Sequence, residues 1–125
     1  MNKKIWLSLA HMSGREQDFI KEAFDTNWLS TVGEKLNEFE ASVREYLGVK
    51  SSVGLGSGTS AIHLGLKALG VKKDDIVFVS DLTFSASVNP IIYESATPVF
   101  IDSEYATWNM SPKALRKAFE KYTPK

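Results

Sequence analysis

Apolar residues recur at the three- and four-residue spacing of an amphipathic helix in two stretches of the first 50 residues. The first stretch should start at a capping box, in which Ser13 and Glu16 each bond the other's backbone N–H. Its apolar face comprises Phe19, Ile20, Ala23 and Phe24. The second stretch presents Leu36, Phe39, Val43 and Leu47. We expect this second helix to end at Gly48, which suits a left-handed cap, and residues 27–33 before it to form a loop.

After residue 50, short apolar runs alternate with helical patterns. Runs at 51–55, 76–79 and 98–101 predict strands, and the last two are continuously apolar, as in parallel sheets covered on both faces. Residues 60–69 predict a helix that is apolar on nearly every side and therefore buried, and Gly70 should end it. This alternation is typical of an α/β protein with parallel strands joined by crossovers.

Two further helices complete the pattern. One lies within residues 84–93, where Pro90 requires it to start late or to bend. Its side chains expected to face inward are Val88, Ile91 and Ile92. The other starts at Ser111 and Pro112, a capping serine followed by proline at the first helical position. Its buried stripe comprises Leu115, Ala118, Phe119 and Tyr122.

The predicted sheet is narrow for strands of this type. With so few strands, a strand of the buried kind would lie at an open sheet edge. The sequence also ends at Lys125, where another strand would be expected to follow. We therefore expect a fragment of a larger α/β protein.

Composition argues against several classes of function. The 125 residues are enough for one domain and carry 15 basic and 15 acidic side chains, so the basic excess typical of nucleic-acid-binding proteins is absent. There are no cysteines, which excludes disulfide scaffolds and thiolate metal sites. His11 and His63 lie far apart and lack metal-ligand spacing, so no metal is expected. We expect His63 to make only a local hydrogen bond on its helix.

The distribution of polar residues also bears on location. No apolar run approaches the roughly 20 residues that span a bilayer. His11, Ser13 and Arg15 interrupt the N-terminal region too early for a secretory signal. We therefore expect a cytoplasmic protein that does not associate with a membrane.

Candidate chemistry lies in the glycine turn, Gly54-Leu55-Gly56-Ser57-Gly58-Thr59-Ser60, between a predicted strand and a predicted helix. The first N–H groups of a helix have no internal acceptor, and the helix dipole places partial positive charge there. Glycines allow a ligand to approach the backbone closely, and Thr59 and Ser60 add hydroxyl groups. The turn therefore predicts a phosphate site. The alternative is that it only joins a strand to a helix.

Known phosphate motifs do not settle the ligand. The Walker pattern is absent, and Thr59 stands where the dinucleotide fingerprint requires its third glycine. The spacing of Gly54, Gly56 and Gly58 also fits a methyltransferase-like domain that binds S-adenosylmethionine, with Asp81 as a ribose-binding acid. A third alternative is a non-catalytic module that acts only by association.

A series of short motifs runs through almost the whole chain in a characteristic order. The motifs are NWLSTVG at 27–33, FE at 39–40, GVK at 48–50, GTSAIHL at 58–64, ALGV at 68–71, TFSAS at 83–87, ATPVFID at 96–102 and TWNMSP at 107–112. Together they resemble the N-terminal part of the DegT-type (DegT/StrS) nucleotide-sugar aminotransferases, which are pyridoxal-phosphate-dependent enzymes of the aspartate-aminotransferase fold.

This resemblance implies a fold and a domain organisation. The chain would be an incomplete part of the large three-layer α/β/α domain of a fold-type I pyridoxal-phosphate transferase, with a mostly parallel sheet. Residues 1–125 would form the N-terminal portion of the cofactor-binding domain. Residues 1–50 would be a helical N-terminal arm with a substrate loop, and residues 51–125 a βαβαβα core.

The resemblance also implies site residues. The pyridoxal phosphate group would be bound by Gly58, Thr59 and Ser60. Phe84 would stack on the pyridine ring, unless it is simply a core residue. The residues expected near the sugar substrate, in a loop often found at a dimer interface, are Ser30, Thr31 and Gly33.

The implied activity belongs to the intact enzyme. That enzyme would move an amino group, from a donor such as glutamate, onto a keto group of a nucleotide-linked sugar for surface polysaccharide or lipopolysaccharide synthesis. The family's cofactor-linking lysine and the acidic residue that pairs with the pyridine nitrogen are expected beyond Lys125. No catalytic residue is therefore assigned, and the fragment alone is expected to be inactive with half of a cofactor site.

Overall fold

The computed structural model describes residues 4–122 and divides the chain into two units, Met1–Gly54 and Leu55–Lys125. The first unit contains α1 (Glu16–Asp25) and α2 (Glu34–Leu47), joined by the predicted loop. Lys35 links the two helices, because its Nζ lies 3.1 Å from a carboxylate oxygen of Glu22 on α1 and 3.0 Å from one of Glu38 on α2.

The start of α1 differs from the predicted capping box. The helix begins at Glu16 with Arg15 at the N-cap position, so the Ser13 side chain does not cap it. The other half of the box forms: the Glu16 carboxylate accepts the Ser13 backbone N–H at 2.6 Å, the Ser13 hydroxyl at 2.8 Å and the Gly14 N–H at 2.9 Å. Hydrogen bonds from the Glu16 N–H and from Ser13 lower the pKa of Glu16 to about 2.

The end of α2 agrees with the prediction. Gly48 adopts a left-handed conformation, with φ of 65°, which a residue without Cβ adopts at little cost. The Val49 N–H then donates to the Arg44 carbonyl at 3.2 Å, which satisfies one of the last carbonyl groups of the helix.

Residues 51–55 do not form the predicted strand. Within residues 4–122 the only strand ladder joins Ile76–Ser80 to Thr97–Ile101, so this segment has no paired neighbour there. Its polar groups bond instead to α2: the Ser52 hydroxyl donates to the Glu40 carbonyl at 2.6 Å, and the Gly54 N–H donates to Oε1 of Glu40 at 2.8 Å. The apolar pattern of residues 51–55 is that of a strand, but a strand also needs a neighbouring strand to which it can hydrogen-bond.

The second unit alternates helices and strands. In chain order, its elements are α3 (Gly58–Ala68), β1 (Ile76–Ser80), a 3-10 turn (Ser85–Ser87), α4 (Asn89–Tyr93), β2 (Thr97–Ile101) and α5 (Pro112–Lys121). The strands pair in parallel, in a register that runs from Ile76 opposite Thr97 to Ser80 opposite Ile101. This confirms the α/β class and the parallel sheet.

Helices cover opposite faces of this strand pair. Val79 packs in a core cluster with Val71, Ile91 and Ala96, which Val77 also contacts. The intervening Phe78 points to the other face, as alternate strand residues do, and its ring meets that of Phe119 on α5 edge to face at 5.1 Å. Helices α3 and α4 contact each other, and α4 contacts β2. The unit therefore has the layer order of an α/β/α domain.

Both helix starts predicted from proline are confirmed. Helix α4 begins late, at Asn89, which leaves Pro90 in its first turn, where no intrahelical N–H is needed. Helix α5 has Ser111 as its cap, whose side chain accepts the Ala114 N–H at 3.2 Å.

Several residues that were predicted to be buried are exposed in the described part of the chain. No residue of α3 is buried, and Ile92, Phe100 and Phe119, all predicted to face a core, are more than half exposed. Ile91 and Ala118 are buried as predicted. A sheet of two strands covers too little area to bury both strand faces and whole helices, so the apolar pattern exceeds what residues 4–122 can cover.

Within residues 4–122, no helix has the length and apolar character required to cross a bilayer.

Candidate functional site

The first turn of α3 carries the predicted phosphate-binding residues. Ser57 is its N-cap: the side chain accepts the Ser60 N–H at 3.1 Å, and the Ser57 carbonyl accepts the Ala61 N–H at 3.1 Å. The Ser57 and Ser60 hydroxyl oxygens lie 3.0 Å apart. Ser57 was predicted to lie in the turn but not to cap the helix, although a serine just before a helix is a standard capping signal.

Because of this cap, some backbone N–H groups of the turn are already hydrogen-bonded and others are free. The Ser60 N–H is occupied by the Ser57 side chain. The N–H groups of Gly58 and Thr59, the first two residues of the helix, have no acceptor within the described residues. Two adjacent backbone donors therefore remain for a ligand at the positive end of an 11-residue helix.

The glycines of the turn differ in their surroundings. A Cβ on Gly56 or Gly58 would meet nothing within 4 Å, so open space lies beside both glycines, and Gly58 carries one of the two free N–H groups. A Cβ on Gly54 would lie 2.6 Å from Cδ1 of Leu36, and the Gly54 N–H is bonded to Glu40. Gly54 is thus a packing position, and the part of the turn that fits an anion narrows to residues 56–60.

Phe84 lies in the loop after β1 and precedes the 3-10 turn. Its side chain is exposed, at 80% of its maximum, so it is not a core residue of the described chain. Its backbone is held, because its carbonyl accepts the Ser87 N–H at 2.8 Å, and the Thr83 and Ser87 hydroxyls lie 2.9 Å apart. Helix α3 contacts the 3-10 turn that follows Phe84. The second unit therefore places an exposed aromatic ring on a segment packed against α3.

A charged cluster, which we call the Glu94 cluster (His63, Lys67 and Glu94), joins α3 to the end of α4. Nζ of Lys67 donates to the two Glu94 carboxylate oxygens at 3.0 and 3.1 Å, and Nε2 of His63 lies 2.5 Å from Oε1. Hydrogen bonds from Lys67 and then His63 lower the pKa of Glu94. The prediction of a local bond for His63 is wrong, because its partner Glu94 directly follows α4, 31 residues along the chain. The four-residue spacing of His63 and Lys67, which places them on one helix face, was the available signal.

The predicted substrate loop lies in the first unit. Gly33 has a φ of 151°, a conformation that favours glycine, and caps α2. Ser30 and Gly33 line a small cavity of about 80 Å³ beside Trp28 and Lys35, whereas Thr31 does not line it. Hydrogen bonds to Glu38 and Glu22 raise the pKa of Lys35. The charged side chains that line the cavity are Lys35, Glu22 and Glu34, so its wall carries both signs of charge. Its volume is far below the 300–1,000 Å³ typical of a small-molecule pocket.

No group of three or more histidine, aspartate or glutamate side chains among residues 4–122 is arranged to hold a metal ion.

The chain as a whole is similar to known proteins. Residues 11–125 match the sequence model of the DegT/DnrJ/EryC1/StrS aminotransferase family. EpsN of Bacillus subtilis (strain 168), named as a candidate pyridoxal phosphate-dependent aminotransferase, is 57% identical over 120 residues, which cover 96% of this chain and 31% of EpsN. GDP-perosamine synthase of Caulobacter vibrioides is 38% identical over 112 residues, which cover 90% of this chain and 30% of the synthase. The chain thus spans less than a third of the length of these relatives.

Solved structures of aminotransferases also resemble this chain. The aminotransferase from Psychrobacter cryohalolentis superposes with a TM-score of 0.77 at 30% identity, over 91% of this chain and 28% of that one. Spr1654 of Streptococcus pneumoniae, a candidate sugar aminotransferase solved in a pyridoxal-phosphate form, superposes with a TM-score of 0.71 at 34% identity, over 79% and 26%. The α/β/α fold class and the family's pyridoxal phosphate cofactor are confirmed, and the similarity favours an aminotransferase over the methyltransferase alternative.

Proposed function

Because the chain belongs to the DegT/DnrJ/EryC1/StrS aminotransferase family, we propose that the whole protein moves an amino group onto a keto group of a nucleotide-linked sugar. The amino donor would be an amino acid such as glutamate. The match of residues 11–125 to this family carries the proposal, and the named activity of GDP-perosamine synthase, a relative, supports the sugar substrate. The donors left free at the start of α3 fit the phosphate of the cofactor.

Within this proposal, the second unit binds pyridoxal phosphate. Gly58 and Thr59 would donate their backbone N–H groups to the phosphate, and Ser60 would add its hydroxyl if Ser57 donates its own proton to Ser60 Oγ. Phe84 would cover the pyridine ring, which its exposed side chain is free to do. When bound, the cofactor supplies an electron sink for amino-group transfer. The turn therefore anchors and orients the cofactor rather than moving protons itself.

The first unit would contribute to substrate binding through Ser30, Thr31 and Gly33. Since the cavity beside Ser30 and Gly33 is small, it could receive only part of a nucleotide-linked sugar. The proposal includes a homodimer, since such loops often lie at the dimer interface in this family. It also includes a cytoplasmic location and a product used for surface polysaccharide or lipopolysaccharide. Another relative, SpsC of Bacillus subtilis, is named as a spore coat polysaccharide biosynthesis protein.

The 125-residue chain by itself should catalyse no transamination, because none of its lysines lies in the family's lysine motif. Purified chain incubated with glutamate, pyridoxal phosphate and keto sugars should therefore form no 2-oxoglutarate. Turnover by this chain would contradict that expectation.

The test of the activity uses the full-length protein and a panel of nucleotide-linked 3-keto and 4-keto sugars. We expect glutamate-dependent formation of 2-oxoglutarate and of an amino sugar with at least one of them, detected by mass spectrometry. Phe84→Ala should lower the rate, whereas Glu120→Gln on the exposed face of α5 should not. Binding of S-adenosylmethionine without a response to pyridoxal phosphate would overturn the proposal in favour of the methyltransferase alternative. Self-association with no cofactor binding at all would favour the association module.

A further inference from the structure

We propose that Glu94 is a positioning residue of the cofactor site, which holds the phosphate-binding start of α3 in place relative to the segment that carries Phe84. This inference rests on the proposed function. It assigns a role to the Glu94 cluster, whose members would touch neither the cofactor nor the substrate.

The Glu94 carboxylate is well placed to fix α3. Only 11% of its side chain is exposed, and it binds two side chains that lie four residues apart on one face of α3. Two attachment points along a helix restrain its rotation as well as its distance. The His63 ring also meets the Tyr93 ring edge to face, with centroids 5.4 Å apart, which adds a second contact between the same two elements.

The other end of the link is also anchored. Ile91, three residues before Glu94, is 2% exposed and lies in the core cluster with Val79. The Glu94 N–H donates to the Pro90 carbonyl at 3.3 Å, so the backbone at Glu94 follows the buried turn of α4. The core therefore fixes the position of the Glu94 carboxylate, and the carboxylate in turn fixes the position of α3.

Both ends of this link lead directly to predicted cofactor residues. His63 lies one helical turn after Ser60, so a rotation or shift of α3 at His63 moves the start of the helix with it. On the other side, Phe84 is followed at once by the 3-10 turn and then by α4, with the Val88 N–H bonded to the Ser85 carbonyl at 3.0 Å. Breaking the Glu94 cluster should change the spacing between the phosphate donors and the Phe84 ring.

The test uses the full-length protein and the variant Glu94→Gln, which keeps the side-chain shape and removes its charge. We expect the Kd for pyridoxal phosphate, measured by fluorescence titration, to rise roughly 3- to 10-fold. The absorbance and circular dichroism of the bound cofactor should shift, because the ring environment changes. Glu94→Asp should restore part of the affinity. The matched control is Glu120→Gln, which removes a charge from an exposed position and should leave Kd and spectra unchanged.

A double-mutant cycle separates positioning from general stability. If Glu94 acts through the placement of α3 relative to Phe84, the losses caused by Glu94→Gln and Phe84→Ala should be less than additive. Additive losses with an unchanged cofactor spectrum would indicate a merely structural role and would overturn the inference. If Glu94→Gln does not fold, the same measurements are made on Lys67→Met. This substitution removes both Lys67 hydrogen bonds to Glu94, and it changes a side chain that is 59% exposed.

The outcomes also separate this inference from the proposed function. A full-length wild-type protein that does not bind pyridoxal phosphate refutes both. A wild type that binds the cofactor, together with a Glu94→Gln variant of equal affinity and spectrum, refutes only the role of Glu94.

Discussion

Gly54 and Leu36 pack so closely that a Cβ on Gly54 would lie 2.6 Å from Cδ1 of Leu36, which would have to move to admit it. The same glycine donates its N–H to Glu40, so it is fixed against α2 by a bond and by the absence of a side chain. Gly54→Ala should destabilise the protein by about 1–3 kcal/mol, towards the lower end because the Leu36 methyl group can rotate away. Thermal or urea unfolding followed by circular dichroism measures this loss.

The control for this prediction is Gly56→Ala. A Cβ there meets nothing within 4 Å, so stability should stay the same or rise by about 0.5 kcal/mol through the unfolded state. Equal effects of the two substitutions would show that the contact with Leu36 does not limit residue 54.

The hydroxyl group of Ser57 caps α3, and its loss should cost about 1 kcal/mol of stability. Ser57→Ala also removes the hydroxyl that would donate to Ser60 Oγ and so direct the Ser60 hydroxyl to the phosphate, and it should therefore lower the affinity for pyridoxal phosphate as well. Ser111→Ala removes a similar cap from α5, which carries no predicted site residue, and should cost about the same stability without changing affinity. The two measurements are urea unfolding and cofactor titration. A loss of affinity in Ser111→Ala equal to that in Ser57→Ala would mean that stability alone governs binding.

Substitutions of Phe84 and Ile91 should separate effects on cofactor affinity from effects on stability. Phe84→Ala changes an exposed side chain, so stability should move by no more than about 0.5 kcal/mol while the affinity for pyridoxal phosphate falls. Ile91→Ala removes a core side chain and should cost about 2–5 kcal/mol. Unfolding curves and cofactor titrations on both variants test this. A large loss of stability in Phe84→Ala would place its ring in a core and contradict its proposed role.

The stability contributed by Glu16 should depend on pH in acid. Its pKa is lowered from 4.5 to about 2 in the folded state, so its contribution is fully present above the unfolded value and is lost as the pH falls from about 4.5 towards 2. Glu16→Gln removes the contribution, so the difference in unfolding midpoint between wild type and variant should be constant above pH 5 and shrink below it. Carbon-detected NMR titration of the carboxyl group gives the pKa directly. A midpoint near 4.5 would show that the hydrogen bonds from the Glu16 N–H and from Ser13 do not persist in solution.

Features of the fold that depend on neighbours in sequence could be predicted. Gly48 ends α2, Ser111 caps α5 and Pro90 delays α4, because each acts through the backbone within one turn of itself. The parallel strands followed from continuous apolar runs. The predictions of a strand at 51–55 and of a buried α3 were wrong. A strand needs a neighbouring strand and a buried helix needs a covering surface, and residues 4–122 provide neither at these positions.

The candidate site divides in the same way. The glycine turn could be recognised from composition, and its position at the start of a helix from the apolar run behind it. The roles of individual donors could not, because the pairing of Ser57 with Ser60 and of Gly54 with Glu40 depends on side-chain geometry. The bond between His63 and Glu94 joins residues 31 positions apart. The four-residue spacing of His63 and Lys67 indicates that they share a helix face but does not identify the carboxylate that they bind.

The parallel register of β1 and β2 has a consequence for folding kinetics. Every pair, from Ile76 with Thr97 to Ser80 with Ile101, is separated by the same length of chain. Once the first pair has closed that loop, each later pair gains its contacts with no additional loop-closure entropy. The loop also contains α4, whose Ile91 packs on the sheet as the loop closes. Assembly of this sheet should therefore proceed through one slow closure followed by rapid pairing along the strands.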